Sequence, residues 1–324
     1  MKSLYALIMT ALLLFTLPGA GSHGLPAGTS SDLGQAQPLN TASGGTVIHF
    51  PDPNFEAAVR ALIGKPEGDI LAGDVSGLKE LDVSDLDIED LTGIEYFTAL
   101  TELDCAYNML TALDLSGNAA LRVLSCEANF LTELDFSQNP QLTELYCGLM
   151  GLTTLNVNQC PLLKELYCEE DSLITLDVSR NPALEVLALY SNELTALDVS
   201  HNPALEYLNC EMNLLTELDA SQNPVLKNLI CSGNQLTALD VSQSYVLEEI
   251  TCFGNQLKTL DVSHNSALIE LSCGQNLLTM LDVRQNPALK DLSCSYNLFP
   301  DRSAIMGLDE EKLEQFDFDP QNDK

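Results

Sequence analysis

The chain has 324 residues and a formal net charge of −33, with 14 Lys and Arg against 47 Asp and Glu. Nucleic acid and anionic membrane both recruit clustered cations, so this balance excludes them as partners and favours a cationic or neutral one. A length above 300 residues ordinarily means two domains, unless a repeat lets one core grow in a single dimension.

Residues 1–20 read as a secretory signal peptide. Lys2 supplies the positive start, Leu4 to Leu17 is almost wholly apolar, and Pro18-Gly19-Ala20-Gly21 offers small residues for cleavage. The apolar run is shorter than the roughly 20 residues of a spanning helix, and no later stretch is a candidate. No cysteine precedes Cys105 to carry a lipid. The expectation is an exported chain, secreted or extracellular, or periplasmic where the source has an outer membrane. Residues 21–46, rich in Gly, Ser, Ala, Thr and Pro, read as a flexible linker.

Residues 47–90 are expected to form an N-terminal cap and a first irregular repeat. Asp52-Pro53 can open a short helix, with Phe55, Val59 and Leu62 on one apolar face and Gly64 to end it. Such a helix would cover the open end of the first coil, as a solenoid requires.

Residues 91–298 are expected to be repeats. A 21-residue unit recurs without interruption from Leu110 to Leu298; the unit at Leu194 reads LTALDVSHNPALEYLNCEMNL and the next reads LTELDASQNPVLKNLICSGNQ. This is the leucine-rich-repeat pattern with Cys at its third apolar position. Each unit holds two triplets, L-x-x-L-D-V-S-x-N and L-x-x-L-x-C-x-x-N, both alternating as a short strand does. The prediction is a mainly β, right-handed repeat solenoid with two short parallel β-sheets and a small helical N-terminal cap. A helix on the convex side would need a longer unit with a 3.6-residue period. Residues 299–324 leave the repeat and read as a C-terminal cap, with Asp309 to Gln315 as one or two helical turns and Phe316-Asp317-Phe318 as a last strand. No effector or enzyme domain is expected beyond it.

Ten cysteines in an exported chain usually mean disulfides. Here nine of them, from Cys105 to Cys294, keep one 21-residue register, with Leu189 in the single gap. A column that accepts Cys or Leu is a core column. Neighbours on parallel strands about 4.8 Å apart exceed the roughly 3.8 Å Cβ separation of a disulfide, so free thiols are expected. Cys160 lies off this register and is also expected to be unpaired. A linear column does not offer tetrahedral metal coordination.

The repeats resemble the bacterial 21-residue leucine-rich-repeat class termed IRREKO. FPDPNFEAAVRALIGKPEGDI followed by LKELDVSDLDIEDLTGIEYFTAL resembles the helical cap and first repeats of listerial internalins. The resemblance covers residues 48–298 and implies an exported protein-interaction scaffold. The sorting motif and basic wall-binding module familiar from internalins are not found in this sequence.

An acidic column runs Asp114, Asp135, Asp177, Asp198, Asp219, Asp240, Asp261 and Asp282, with Asn156 in the remaining place. It is either a calcium ladder or, the reading favoured here, a set of carboxylates accepting hydrogen bonds from backbone and from nearby Ser and Thr. Two asparagine columns, one running Asn108 to Asn297 and one Asn118 to Asn286, are expected to satisfy backbone groups at the bends. Met150 and Asp171 interrupt the first and Cys160 the second, marking a local bend, a binding site or drift. No catalytic, cofactor or metal residues are assigned: the four histidines are scattered, and Ser200, His201 and Asp198 are adjacent through composition rather than as a positioned triad.

The candidate partner-binding residues flank the cysteine column: Tyr146, Leu149, Tyr167, Tyr190, Met212, Ile230 and Phe253. Large apolar groups on a rigid face make hot spots, although they can equally pack on one another or be scattered surface residues. Glu127, Glu169, Glu170 and Glu211 border them and suit a basic partner. The sequence therefore predicts an exported monomeric scaffold without enzyme activity, cofactor or membrane span. It would bind a protein or cell-surface macromolecule through its cysteine-side sheet. A self-assembling envelope or extracellular role and a calcium-dependent adhesin are the alternatives.

Overall fold

The computed structural model describes residues 45–322; the expected signal peptide and the linker up to residue 44 lie outside them. Thr46 to Ile48 pair with Ile70 to Ala72 through Ile48 N–H to Ile70 O (2.9 Å) and Ala72 N–H to Thr46 O (2.8 Å). The cap helix Pro53–Ile63 follows. Asp52 begins it: Oδ1 accepts from the Asn54 and Phe55 amides, while Oδ2 accepts from the Glu89 and Asp90 amides. One carboxylate thus caps the helix and ties it to the first coil. Burial alone would push this carboxyl up, but the four amides together hold it below its usual value. Gly64, at φ 64°, ends the helix in the left-handed region. Phe55 and Val59 face the core as expected, but Leu62 is 50% exposed and Ile63 packs against the core in its place. Phe55 stands between Phe50 (5.2 Å) and Phe97 (6.3 Å), which closes the first coil with rings.

Twelve three-residue strands then form one continuous parallel sheet, from Glu80–Asp82 through Val123–Ser125, Glu144–Tyr146, Glu165–Tyr167, Val186–Ala188, Tyr207–Asn209 and on to Asp291–Ser293 and Gln315–Asp317. Within the regular repeats each strand pairs with the one a single unit away, Leu124 opposite Leu145 and Leu145 opposite Leu166. In the regular repeats the central Leu (Ile250 in one coil) and the following Cys (Leu189 in one coil) are buried, and the residues between and beside them face outward. On the aspartate side the second sheet forms in two separate two-stranded patches, Glu217–Asp219 with Ala238–Asp240 and Leu281–Asp282 with Ile305–Met306. The chain there turns at once into a bend at each Asp, which leaves little extended backbone to pair. The described helices are short, and the leucines of both sides fill one core running the length of the repeats.

The two asparagine columns do different work. Asn129 is typical of the first: Nδ2 donates to the carbonyls of Cys105, Cys126 and Glu127, and Oδ1 accepts from Leu110 N–H. Asn139 is typical of the second: Nδ2 donates to Leu115 and Asn118 carbonyls, and Oδ1 is buried with no partner. Only a donor is used there. That explains why Ser244 fits, its hydroxyl donating to the Ala220 and Asn223 carbonyls, and why the thiol of Cys160 is accommodated near the Asn139 carbonyl.

At the far end, Gln315–Asp317 adds the last strand, as the Phe316-Asp317 pattern suggested. Phe318 stacks on Phe299 (6.0 Å), and the Arg302 guanidinium lies over the Phe316 and Phe318 rings. The Asp309–Gln315 stretch makes turns, with Lys312 N–H bonded to Asp309 O, rather than a helix.

Candidate protein-interaction face

The outer surface of the long sheet is ruled into columns, because every coil repeats the same offsets. The first strand position carries Glu102, Val123, Glu144, Glu165, Val186, Tyr207, Asn228, Glu249, Glu270 and Asp291. The third carries Asp104, Ser125, Tyr146, Tyr167, Ala188, Asn209, Ile230 and Thr251. The position after the cysteine carries Glu127, Gly148, Glu169, Tyr190, Glu211, Ser232 and Phe253. The next residue takes a left-handed backbone in nearly every coil: Tyr107, Ala128, Leu149, Glu170, Ser191 and Met212 all have φ between 54° and 62°, and glycine takes over at 233 and 254.

The seven candidate residues therefore do not form one stripe. Tyr146, Tyr167 and Ile230 stand on strands. Tyr190 and Phe253 lie just beyond the strands, so Tyr190 does not share a column with the other two tyrosines; Ala188 holds that place. Leu149 and Met212 sit on the left-handed bend and are exposed. Tyr146 and Tyr167 are brought together: their rings lie 4.7 Å apart and 6° from parallel. That is the strand spacing expressed in side chains. Sequence reasoning missed Tyr207 at the first strand position and Tyr107 and Tyr296 on the bend, although their 21-residue offsets place them on the same face. It also missed the left-handed column, whose only sequence signal is Gly233 and Gly254.

Most of the carboxylates on this face are partly buried, while Glu170 and Glu270 are exposed. Burial pushes Asp104, Glu127, Glu144, Glu169, Glu211 and Glu270 up, and like charges add to most of them, Glu165 and Glu102 on Glu144 and Glu127 on Glu169. Burial and the Glu165 and Glu144 charges push Tyr146 up to about 12, and Tyr167 also rises. None of the outward columns contains a Lys or Arg from residue 102 to 296. The nearest cations lie one position earlier, at the border: Arg122, whose charge acts on Glu144, and Lys164, Lys227 and Lys290, which are paired with Glu185 (2.6 Å), Glu206 (2.6 Å) and Glu314 (2.7 Å).

The aspartate column on the other side has an internal use. Oδ1 of Asp114, Asp135, Asp177, Asp198, Asp219, Asp240 and Asp261 each accepts from the amide two residues on, at 2.8–3.0 Å, and Asn156 does the same for Asn158. These are Asx turns, the hydrogen-bonded reading of the column. Asp282 differs only in adding Arg284, whose side chain and amide hold its carboxyl down at about 2. Among the described residues no group of His, Cys, Asp and Glu is arranged to hold a metal ion. Ser200 Oγ does lie 3.0 Å from His201 Nδ1, but both are exposed and Asp198 bonds Ser200 rather than His201. That is not the order of a catalytic triad.

All ten cysteines are buried and unpaired. Cys168 is distinctive. Its thiol faces Asp171 Oδ2 at 3.2 Å, while Asp171 Oδ1 accepts from the amides of Met150, Gly151 and Leu152. Asp171 thus keeps the acceptor half of the column's asparagine and loses the donor half.

No family model matches the chain. Internalin J of Listeria monocytogenes serotype 4b (strain F2365) is 38% identical over 91 residues, which are 28% of this chain and 9% of that protein. The solved functional domain of internalin J from Listeria monocytogenes, which includes a cysteine ladder, superposes with a TM-score of 0.79 at 36% identity, over 86% of this chain and 62% of that one. An internalin, inlF, from Listeria monocytogenes strain 4b F2365 shares the fold with a TM-score of 0.57 at 19% identity, over 84% of this chain and 96% of that one. The chain thus spans less than two thirds of the internalin J domain and matches a small part of the full protein. Among the described residues no helix is long and apolar enough to cross a membrane. With nine thiols on one register, Asp52 joining the cap helix to the first coil, and this likeness to internalin J, the chain is a leucine-rich-repeat solenoid of the 21-residue class with an internalin-like N-terminal cap.

Proposed function

We propose that the chain is an exported, non-enzymatic scaffold that binds a protein through the outer face of its twelve-stranded sheet. One observation carries this reading: the Tyr146–Tyr167 stack stands outward on adjacent strands of a sheet whose inner face already fills the core. Stacked rings on a rigid face offer a large contact area with little side-chain freedom left to lose. The likeness to internalins supports the scaffold role, and the leader-like residues 1–20 support export. The test is site-specific photo-crosslinking on cells or extracts exposed to the secreted protein. A cross-linker at Thr251 on the sheet face should yield discrete protein adducts, and one at Ser221 on the aspartate side should not. Equal yields from both sides, or none from Thr251 and adducts from Ser221, would overturn it.

A further inference from the structure

We infer that the sheet face is built to receive an arginine side chain of a partner protein, seated against the ring of Tyr146 on its Ser125 side; this rests on the reading of that face as a protein-binding surface. One face of the Tyr146 ring is covered by Tyr167. On the other side the strand register places Ser125, too short to reach the height of a ring. Among the described residues no aromatic group stacks there. A planar guanidinium has the thickness of a ring and stacks on aromatic faces, so it would continue the tyrosine stack at the strand spacing.

The charge around that position has one sign. Asp104 precedes Ser125 in its column, Glu144 begins the Tyr146 strand, and Glu127 stands just beyond the Ser125 strand. Each of these carboxyls is drawn partly out of water, and each has its pKa pushed up by burial first. Arg122 and Lys164 reach Glu144 from the border and lower it, but Lys164 is committed to Glu185. A cation entering from outside would meet partly buried carboxylates, of which Asp104 and Glu127 have no cation beside them. That is charge complementarity beyond a generally acidic surface. Arginine fits better than lysine because its fork can hydrogen-bond two carboxylates while its plane lies on the ring.

The test uses the full chain and three fluorescent nonapeptides, oligo-arginine, oligo-lysine and oligo-glutamate, with binding read by anisotropy. Oligo-arginine should bind at least about fivefold more tightly than oligo-lysine, and oligo-glutamate should not bind. Glu127→Gln with Glu144→Gln should weaken oligo-arginine at least about tenfold. Asp198→Asn with Asp219→Asn, the same charge change on the opposite side, should alter it less than about twofold. Ser125→Phe, which fills the proposed place and leaves every charge intact, should also weaken it about tenfold, with an unchanged melting temperature showing that the fold survives. Equal effects of the two charge pairs, or no preference for arginine over lysine, would reduce the binding to general attraction and overturn the inference. A cross-linked partner that binds wild type and the Glu127/Glu144 variant equally would also overturn it while leaving the face as a binding surface. Absence of any partner on the face would remove that broader reading instead.

Discussion

The thiol of Cys168 donates to Oδ2 of Asp171 at 3.2 Å, and this contact makes a misfit in the asparagine column tolerable. In a regular coil the asparagine amide donates to three carbonyls; Asn192, one unit later, donates to those of Cys168, Leu189 and Tyr190. Asp171 has no side-chain amide to offer them, and at 9% exposure its buried oxygens need donors. Three backbone amides and one thiol supply them.

Cysteine-to-alanine substitution should therefore not cost the same along the column. At Cys231, whose thiol makes no hydrogen bond among the described residues, the loss is packing alone. At Cys168 it also takes a donor from a buried carboxylate, and hydrogen bonds to charged groups are worth about 1.5–3 kcal/mol. Cys168→Ala should destabilise by at least about 1 kcal/mol more than Cys231→Ala in urea unfolding. Equal midpoints would show that the thiol is not holding Asp171.

The two asparagine columns should differ in tolerance. Asn202 uses only its amide, donating to Val178 and Asn181 carbonyls, with Oδ1 unpartnered. Asn213 donates to Leu189, Cys210 and Glu211 carbonyls and accepts from Leu194 N–H. Serine can replace the first kind, as Ser244 does, but cannot reach all the partners of the second. Asn202→Ser should cost less than about 1 kcal/mol and Asn213→Ser about 2–3 kcal/mol, since each buried group left unpaired costs about 1–3 kcal/mol. Equal losses would refute the division of labour.

The two faces should pull stability in opposite directions with pH. On the sheet face, Asp104, Glu127, Glu144, Glu169, Glu211 and Glu270 are raised, burial first, so their ionisation penalises the folded state; the penalty is full above the folded pKa and disappears as pH falls towards the ordinary 4.5 of Glu and 3.8 of Asp. On the other side, Asp114, Asp177, Asp198, Asp261 and Asp282 are lowered by hydrogen bonds to the residue two positions on; their contribution is full above 3.8 and lost as pH falls through their folded values. The melting temperature at fixed ionic strength should rise as pH falls from 7 towards about 4.5, then fall below 3.8. A steady decline from pH 7 downward would contradict this assignment.

The thiols should be silent in the native protein and reactive in the unfolded one. All ten are buried, and burial pushes Cys126, Cys231 and Cys273 well up. The reactive thiolate is therefore scarce. Alkylation without reductant should label almost none in buffer and nearly all in denaturant, by intact mass. Four or more disulfides surviving denaturation would sink the free-thiol ladder.

The repeat made the architecture legible because every coil restates the same offsets. The buried cysteine column, the bend-satisfying asparagines and the Asp52-capped helix all follow from register and capping chemistry. The site was legible only in part. Counting residues from the cysteine places Tyr146 and Tyr167 one above the other, and their stacking follows. The same count sets Tyr190 two residues further along its coil, beyond the strand, a distinction lost when apolar residues near the column are pooled. Leu149 and Met212 were harder, because an L-residue in the left-handed region carries no sequence mark of its own. The patchiness of the second sheet was hidden because its triplets alternate in the same way as those of the first, while the Asx turn at each Asp shortens the extended segment.

Tyr167 and Tyr190 belong to different columns. Tyr167 leans on Tyr146, and its removal costs the stacking contact, an effect of about 0.5–1.5 kcal/mol. Tyr190 lies past the Val186–Ala188 strand, partly exposed, and is not a core residue. Tyr167→Ala combined with Tyr190→Ala should keep the circular dichroism spectrum and shift the melting temperature by only a few degrees, since neither ring fills the coil interior. Binding of a partner identified by cross-linking from the sheet face should weaken by at least about 2 kcal/mol, the scale of a hot spot. Each single change would then apportion the loss. If the strand column is the site, Tyr167→Ala should carry most of it; if the column beyond the cysteine is the site, Tyr190→Ala should. Unchanged affinity in the double variant would remove both columns from the site, and a collapse of the melting temperature would place the rings in the core instead.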